Sequence, residues 1–263
     1  MTFSLRPGDP DFGDSLHVSP GETLMRQGDP EGRLFIIDQG AAEVWRAAKT
    51  GGRWKLSDLG PGDIVGEVEA IDGEPALATV RAVDAVVCRA ASHAAVVAAL
   101  DQLDPLYQFT ARRLARMLRE NYQVYTEGMA LSLFGGGAVS ALADSGEERA
   151  FEPGDTLMRQ GDAPDAMYVV VSGLVEVARD EEADQPRKLV ELGRGCLVGE
   201  IEMIDLIPRN ATVTALKPTI TRRIDADSFR AGLDSVGMLK DAMFSMTHAL
   251  RRSNEILAKP ARP

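Results

Sequence analysis

Short β-rich runs occur in two separate parts of the chain. The runs LFIIDQGAAEVW and MYVVVSGLVEVA each place apolar stretches on both sides of a central glycine, Gly40 in the first and Gly173 in the second. Alternation with a period of two is typical of half-buried strands, and a central glycine accommodates a turn with positive φ. The pattern predicts paired strands around each glycine, followed by more strands in KLSDLGPGDIVGE, KLVELGRGCLVGE and the two ATV segments.

The apolar spacing changes to three and four residues after each β-rich part. Asp104 and Pro105 precede LYQFTARRLARMLRENYQVY, residues 106–125, at positions where capping and first-turn residues are favoured. DSFRAGLDS and GMLKDAMFSMTHALRRSNEIL repeat this arrangement near the end of the chain. The sequence therefore predicts a mainly β fold with helices (α+β): two tandem β-roll (jelly-roll-like) domains, each followed by a helix pair.

The two parts are copies of one unit. PGETLMRQGD, which begins at Pro20, returns as PGDTLMRQGD at Pro153 with nine of ten residues identical. VGEVEAIDGEPALATV (65–80) returns as VGEIEMIDLIPRNATV (198–213) with ten of sixteen identical, at the same offset of 133 residues. We expect a duplicated domain, with residues 1–134 and 138–263 as the two units and the glycines 135–137 as the break.

Composition narrows the class of protein. A chain of 263 residues is long enough for two domains. The net charge of −11 argues against a nucleic-acid partner, which would need a basic face, and against attachment to an anionic membrane. Two cysteines at unmatched positions indicate a reducing compartment. Because we find no signal peptide and no apolar run long enough to span a bilayer, we expect a cytoplasmic protein.

Enzyme chemistry has no support in the sequence. The three histidines, His17, His93 and His248, are scattered and accompany neither a nucleophile nor a set of metal ligands. We therefore expect no catalytic residues, no metal and no cofactor.

Several motifs, in the same order in both copies, resemble the cyclic nucleotide-binding domain. They are RQGD, the aromatic residue before the xGxxEV turn, and the GE…PR.A segment. This family includes catabolite-activator-type regulators, regulatory subunits of cyclic-AMP-dependent kinase and nucleotide-gated channels. The resemblance implies that the chain binds cyclic AMP or cyclic GMP and signals to an unidentified protein partner. We expect no DNA-binding domain.

The resemblance assigns the more complete site to the second unit. Gly199 and Glu200 match the ribose-binding pair, and Arg209 matches the arginine that binds the phosphate. An arginine suits this role because its fork contacts two phosphate oxygens at once. Backbone N–H groups after Arg209 and at the start of the GEIEMI helix complete the phosphate contacts. The candidate ligand-binding residues are Gly199, Glu200, Ile201, Arg209, Asn210 and Ala211.

The first unit departs from the pattern. It keeps Gly66 and Glu67, but Ala76 replaces the arginine and Glu74 adds a negative charge. A phosphate there would lose a charge-assisted contact of about 1.5–3 kcal/mol. We therefore expect a vestigial site in a mainly structural first roll, and a ligand-competent second roll.

Both units carry a glutamate where the family usually has a small residue, two positions after the ribose-binding glutamate. These are Glu69 and Glu202. A carboxylate about 4 Å from the phosphate would repel it by roughly 4 kcal/mol at an effective dielectric of 20, whereas an outward carboxylate would cost little. The sequence leaves both directions open. It also leaves two functions open, a cyclic nucleotide receptor and a ligand-free interaction scaffold that retains the fold.

The two long helices each present an apolar stripe, in Leu106–Tyr125 and in Leu239–Leu257. We predict that they pack on each other, so that the monomer mimics a dimer of single rolls. The alternative is a homodimer formed through one of these helices. The last helix is also the predicted lid of the second site, with Ser253 and Asn254 able to reach the base. If it is not the lid, the helix Leu106–Tyr125 is the other candidate.

Overall fold

The structure is a computed structural model that describes residues 8–47, 53–127, 146–180 and 187–258. The side chains of residues 54, 123–127, 187 and 252–258 lie outside this description, as does the predicted break at residues 135–137. Within the described ranges, no helix combines the length and the apolar character needed to cross a bilayer.

The first roll consists of two antiparallel four-stranded sheets, with strand orders β1-β8-β3-β6 and β2-β7-β4-β5. A short helix, α1, lies between β6 and β7, and two helices follow β8. The elements are β1 (Leu16–Val18), β2 (Thr23–Met25), β3 (Arg33–Gln39), β4 (Ala42–Ala47), β5 (Arg53–Leu59), β6 (Ile64–Val65), α1 (Glu67–Asp72), β7 (Thr79–Ala82), β8 (Val86–Ser92), α2 (His93–Leu100) and α3 (Pro105–Glu127).

The second roll repeats this order with the strand numbers raised by eight: β9-β16-β11-β14 and β10-β15-β12-β13. Irregularities of register recur as well, since the one between Thr23 and Met25 returns between Thr156 and Met158. The elements are β9 (Glu147–Phe151), β10 (Thr156–Met158), β11 (Ala166–Ser172), β12 (Leu174–Arg179), β13 (Arg187–Gly193), β14 (Leu197–Val198), α4 (Glu200–Asp205), β15 (Thr212–Ala215), β16 (Thr219–Asp225), α5 (Ala226–Leu233) and α6 (Met238–Ala258). The predicted fold, two tandem β-rolls with helices, is confirmed.

The turn between the central strands of each roll requires a glycine. Gly40 and Gly173 have φ values of 84° and 97°, a region that side chains with a Cβ rarely adopt. A Cβ at Gly40 would also collide with the carbonyl oxygen of Ala85. The turn predicted from the sequence therefore has a steric cause in addition to its backbone angle.

Each roll encloses its own apolar core between its two sheets. Ile37, Val80 and Cys88 are fully buried in the first, and Val170 and Val175 are fully buried in the second. Both cysteines are buried free thiols, as expected for a chain without a disulfide framework.

The last helix does not group with the roll that precedes it in the sequence. The chain divides into two compact units, Met1–Leu131 with Val236–Pro263, and Ser132–Ser235. Helix α6 packs against α3, α1 and β6, all of them in the first unit. The predicted pairing of the two long helices is thereby confirmed. The boundaries 1–134 and 138–263 remain a prediction for the duplicated sequence units, and whether the chain is a pseudo-dimeric monomer or a homodimer remains a prediction too.

Candidate functional site

The signature helix of each roll starts at a glycine that no other residue could replace without strain. Gly66 precedes α1 and Gly199 precedes α4, both with φ 85°. A Cβ at Gly66 would collide with the carbonyl oxygen of Arg33, and one at Gly199 would lie 2.8 Å from Nη1 of Arg209. The next residues, Glu67 and Glu200, are both buried. The glycine–glutamate pair predicted to contact a ribose is thus fixed at the same place in both rolls.

Arg209 lies in the second site, and its guanidinium already contacts protein oxygens. The residue is only 2% exposed. Its Nη1 donates to the carbonyl of Gly199 at 2.9 Å and lies 3.8 Å from Glu202 Oε2. Its Nη2 donates to the carbonyl of Ala166 and lies 3.4 Å from Asp165 Oδ1. The structure therefore brings Gly199 and Arg209 together, as predicted, but Arg209 also supports the fold.

The two extra glutamates point inward. Glu69 is 3% exposed, and its Oε1 accepts the backbone N–H of Leu77 at 2.5 Å. Glu202 is 5% exposed, its Oε2 lies 3.8 Å from Nη1 of Arg209, and the nearby backbone N–H of Asn210 helps to lower the pKa of its carboxyl group against the effect of burial. Leu77 and Asn210 are equivalent positions of the repeat. The N–H of Asn210, expected from the sequence to be available for a phosphate, therefore lies near a carboxylate of the protein.

The remaining predicted residues of the second site take ordinary positions around these groups. Ile201 is half-buried on α4, next to Glu200. Ala211 is buried just before β15. The predicted lid residues Ser253 and Asn254 lie in α6, but their side chains are outside the described residues. Their role as a lid stays a prediction.

Burial changes the acidity of both inward carboxyl groups. Burial, followed by the nearby Glu200 carboxylate, raises the pKa of Glu202 to about 6, although Arg209 and the Asn210 N–H oppose the shift. Burial likewise raises the pKa of Glu69, against the hydrogen bond from Leu77. A raised pKa means that the folded protein favours the protonated form. At neutral pH, burial therefore opposes the charged form of Glu202.

We expect Glu202→Gln to stabilise the second unit above pH 6. The folded-state pKa is about 6 and the ordinary value is 4.5, so the folded protein binds this proton more tightly than the unfolded chain. Its contribution to the free energy of unfolding is greatest below pH 4.5 and decreases as the pH rises to about 6, by about 2 kcal/mol. Urea unfolding across this range measures the difference between variant and wild type.

The control for this measurement is Glu152→Gln, which neutralises an exposed carboxylate of the same roll. The variant Glu202→Gln should gain stability over wild type above pH 6 and approach it below pH 4.5. A pH-independent difference between Glu202→Gln and wild type would contradict the assignment.

The first roll contains a cavity of about 890 Å³, within the usual size range of small-molecule sites. Its wall comes from strands β4 and β5, from α1, and from one face each of α3 and α6. Its lining includes Arg46, Glu67, Glu69, Tyr122, Phe244 and Ser245. The roll expected to be mainly structural therefore has room for a ligand, and the last helix closes one side of it.

Two contacts connect the signature helix α1 to the long helices. Ser245 Oγ on α6 donates to Glu67 Oε1 at 2.7 Å. Arg119 on α3 contacts both carboxylate oxygens of Asp72, at 2.6 and 2.9 Å, and donates to the carbonyl of Pro75 at 2.9 Å. A two-pronged arginine–carboxylate contact fixes orientation as well as distance. A displacement of α1 would therefore act directly on α3 and α6 through these contacts.

Arg46 is a site residue that the sequence analysis missed. It is buried, it donates to the carbonyl of Leu77, and its guanidinium lies 5.4 Å from the centre of the Tyr122 ring. In the second roll, Arg179 Nε donates to the carbonyl of Asn210 at 3.0 Å. Arg46 and Arg179 are separated by the repeat offset of 133 residues, so comparing the two copies for shared charged residues could have found both.

Comparison with known proteins agrees with this architecture. The family model described as "Cyclic nucleotide-binding domain" matches residues 15–102 and 148–235. The chain belongs to the cyclic nucleotide-binding domain family. The two matched segments are separated by the same 133 residues as the repeat motifs.

Among similar curated proteins is the cAMP-dependent protein kinase regulatory subunit of Yarrowia lipolytica, 29% identical over 221 residues that cover 82% of this chain and 53% of the relative. The chain spans about half the length of the curated relatives it matches. Similar solved structures include the regulatory domain of Toxoplasma gondii PKA with cAMP (22% identity, 92% of this chain and 85% of the other, TM-score 0.35). Another is the regulatory subunit of a cAMP-independent protein kinase A from Trypanosoma cruzi bound to guanosine (21% identity, 92% of this chain and 82% of the other, TM-score 0.36).

Proposed function

We propose that this protein is a non-catalytic receptor in which a nucleotide-type ligand in a β-roll changes the docking of the long helices, and a protein partner reads that change. The hydrogen bond between Ser245 and Glu67, 2.7 Å long, is the observation that carries this proposal. It joins Glu67, the first-roll counterpart of the predicted ribose acceptor Glu200, to the last helix. Relatives named as cAMP-dependent protein kinase regulatory subunits support a protein kinase as the partner.

The coupling follows from competition for one carboxylate. A ligand hydroxyl that donates to Glu67 competes with Ser245 for the same buried acceptor. A ligand shifts a conformational equilibrium only through a difference in its affinity for the two states. Loss of the Ser245 contact would weaken the docking of α6, while Arg119 transmits any movement of α1 to α3. Hydrogen exchange of α6 with and without ligand is the direct measurement of this step.

In the second roll we propose a site for cyclic AMP or cyclic GMP formed by the six residues predicted from the sequence. Gly199 and Arg209 support it, since they are adjacent and Arg209 supplies a fixed cation. The phosphate of such a ligand would need Arg209 and the N–H of Asn210, and the Glu202 carboxylate lies near both. Binding of the phosphate therefore requires Glu202 to gain a proton or to leave. Arg209 would attract the incoming phosphate and so favour its replacement of the Glu202 carboxylate. The first roll has Ala76 at the equivalent position and lacks this cation.

We expect cyclic nucleotide binding to the second roll to weaken as the pH rises above about 6. If Glu202 must be protonated, the dissociation constant increases by about tenfold per pH unit above its pKa. Calorimetric titration with cyclic AMP and cyclic GMP at several pH values measures this slope. Glu202→Gln should remove the slope and keep tight binding.

Arg209→Lys provides the matched variant for the same titration. It keeps the positive charge but loses the two-pronged contact, so we expect binding at least about tenfold weaker. Equal affinity in wild type and Arg209→Lys would contradict the assignment of the phosphate contact. Absence of any binding in the wild type, with nucleosides included among the ligands, would favour the ligand-free scaffold.

A further inference from the structure

We propose that the cavity of the first roll binds a nucleoside, a sugar with a base and without a phosphate. The proposal rests on the receptor function above and names the ligand class of its first site. It follows from three features of that cavity: the occupied phosphate position, the charge of the wall, and the groups that remain available.

The place of a phosphate in the first roll is occupied by a carboxylate of the protein. Glu69 lies on α1 and bonds to the Leu77 N–H at 2.5 Å, buried at both partners. The preceding residue, Ala76, is itself buried and supplies no cation. In the second roll the corresponding carboxylate lies 3.8 Å from Arg209 Nη1, so a cation is ready to meet an incoming anion. An anionic ligand in the first roll would meet Glu69 without such compensation.

The wall of the cavity is acidic. Among the residues that line it are five carboxylates, one histidine and two strong bases. One base, Lys55, is bonded to Glu43 at 2.7 Å and to Asp58 at 2.5 Å. The other, Arg46, donates to the Leu77 carbonyl and lies beside the Tyr122 ring. Carboxylates at short range repel an anionic ligand, whereas an uncharged ligand avoids this cost.

The remaining groups suit a sugar and a flat base. Glu67 is a buried hydroxyl acceptor, and its present donor, Ser245, is itself a hydroxyl that a sugar hydroxyl could replace. Tyr122 and Phe244 line the cavity from α3 and α6. Aromatic side chains such as these can stack on the flat face of any nucleic acid base. The cavity of about 890 Å³ accommodates such a ligand with room for water. Binding at Glu67 would place the ligand between α1 and α6, where the coupling contact lies.

The test is a titration of the full chain at neutral pH with adenosine, guanosine, cytidine and uridine, and with cyclic AMP and cyclic GMP. Both tryptophans, Trp45 and Trp54, lie in the first roll, so tryptophan fluorescence reports binding there and calorimetry reports binding anywhere. We expect at least one nucleoside to change the fluorescence and to bind at least about tenfold more tightly than either cyclic nucleotide. Glu67→Gln should weaken that nucleoside by about tenfold or more.

The converse variant, Glu69→Ala with Ala76→Arg, removes the carboxylate and introduces an arginine at the position equivalent to Arg209. It should reverse the preference, so that a cyclic nucleotide binds the first roll at least about tenfold more tightly than the nucleoside. Glu69→Gln keeps the shape of the side chain without its charge, and should reduce the discrimination even if the double variant does not fold. Cyclic nucleotides that bind the wild-type first roll as tightly as nucleosides would overturn this inference and leave the receptor function standing. If no compound of either class binds at all, both fail.

Discussion

A chain that ends at Ser235 is expected to lose the fold of its first unit, whereas the second unit remains folded. The reason is that α6 supplies buried apolar side chains to α3, α1 and β6 of the first unit. Five large ones are 1% exposed or less. At about 1.5–3 kcal/mol for each buried side chain, their loss is comparable to the whole stability of a typical domain, about 5–15 kcal/mol. The five are Met238, Leu239, Met243, Met246 and Leu250.

Tryptophan fluorescence reports the first unit, because both tryptophans are in its roll. Hydrogen exchange of β11 and β16 reports the second. The matched control is a chain that ends at Ala258, which retains all of α6 and should unfold like the wild type. Adding a peptide of residues 236–258 to the shortened chain should restore the first-unit signal. An unchanged first-unit transition in the chain that ends at Ser235 would show that α6 is dispensable for this fold.

The rolls could be predicted from the sequence because their determinants are local. Alternating apolar residues, the turns at Gly40 and Gly173, and the start of α3 at Pro105 depend on neighbours a few residues away. The repeat strengthened these predictions, because each pattern was seen twice. The place of α6 could not be predicted in the same way. An apolar stripe shows that a helix is covered, and it correctly suggested α3 as a neighbour, but it does not say which roll the helix serves.

The sequence also could not predict whether the side chains of Glu69 and Glu202 point inward or toward solvent. A glutamate in the first turn of a helix is ordinary when it faces solvent, because it interacts favourably with the helix dipole. Here the left-handed glycine before each helix sets the entry of the chain, and burial of the helix then turns the carboxylate toward the N–H of Leu77 or Asn210. For Asn210, position alone suggested a phosphate contact at this N–H group. Only the three-dimensional structure shows that a carboxylate of the protein lies near each of the two N–H groups.

The largest effect of a single substitution is expected for Arg209→Ala. The side chain is buried, donates to the carbonyls of Gly199 and Ala166, and lies near Asp165 and Glu202. Its removal leaves the buried Glu202 carboxylate without its nearby cation, and breaking a buried pair from one side costs about 3–5 kcal/mol. We expect the free energy of unfolding of the second unit to fall by that amount at neutral pH.

The second change, Glu202→Gln, should gain more stability on the Arg209→Ala background than the about 2 kcal/mol expected for it in the wild type, because Arg209 no longer offsets the buried charge that it removes. The two substitutions are therefore expected to be non-additive, and a double-mutant cycle measures the coupling between them. Hydrogen exchange of β11 and β16 follows the second unit, while tryptophan fluorescence should show an unchanged first-unit transition. Additive effects of the two substitutions would show that Arg209 and Glu202 are not coupled.

This cycle also determines how the ligand experiments are interpreted. If Arg209→Ala destabilises the roll as strongly as expected, a loss of cyclic nucleotide binding in that variant follows from the fold as well as from the missing phosphate contact. Arg209→Lys separates the two effects, because it retains a cation near Glu202. The first roll is the natural comparison: it has Ala76 at the equivalent position together with Glu69, and it keeps a folded core. In that roll the hydrogen bond from Leu77 replaces the cation as the partner of the buried carboxylate, which is why we expect the second roll to remain folded in Arg209→Ala despite its lower stability.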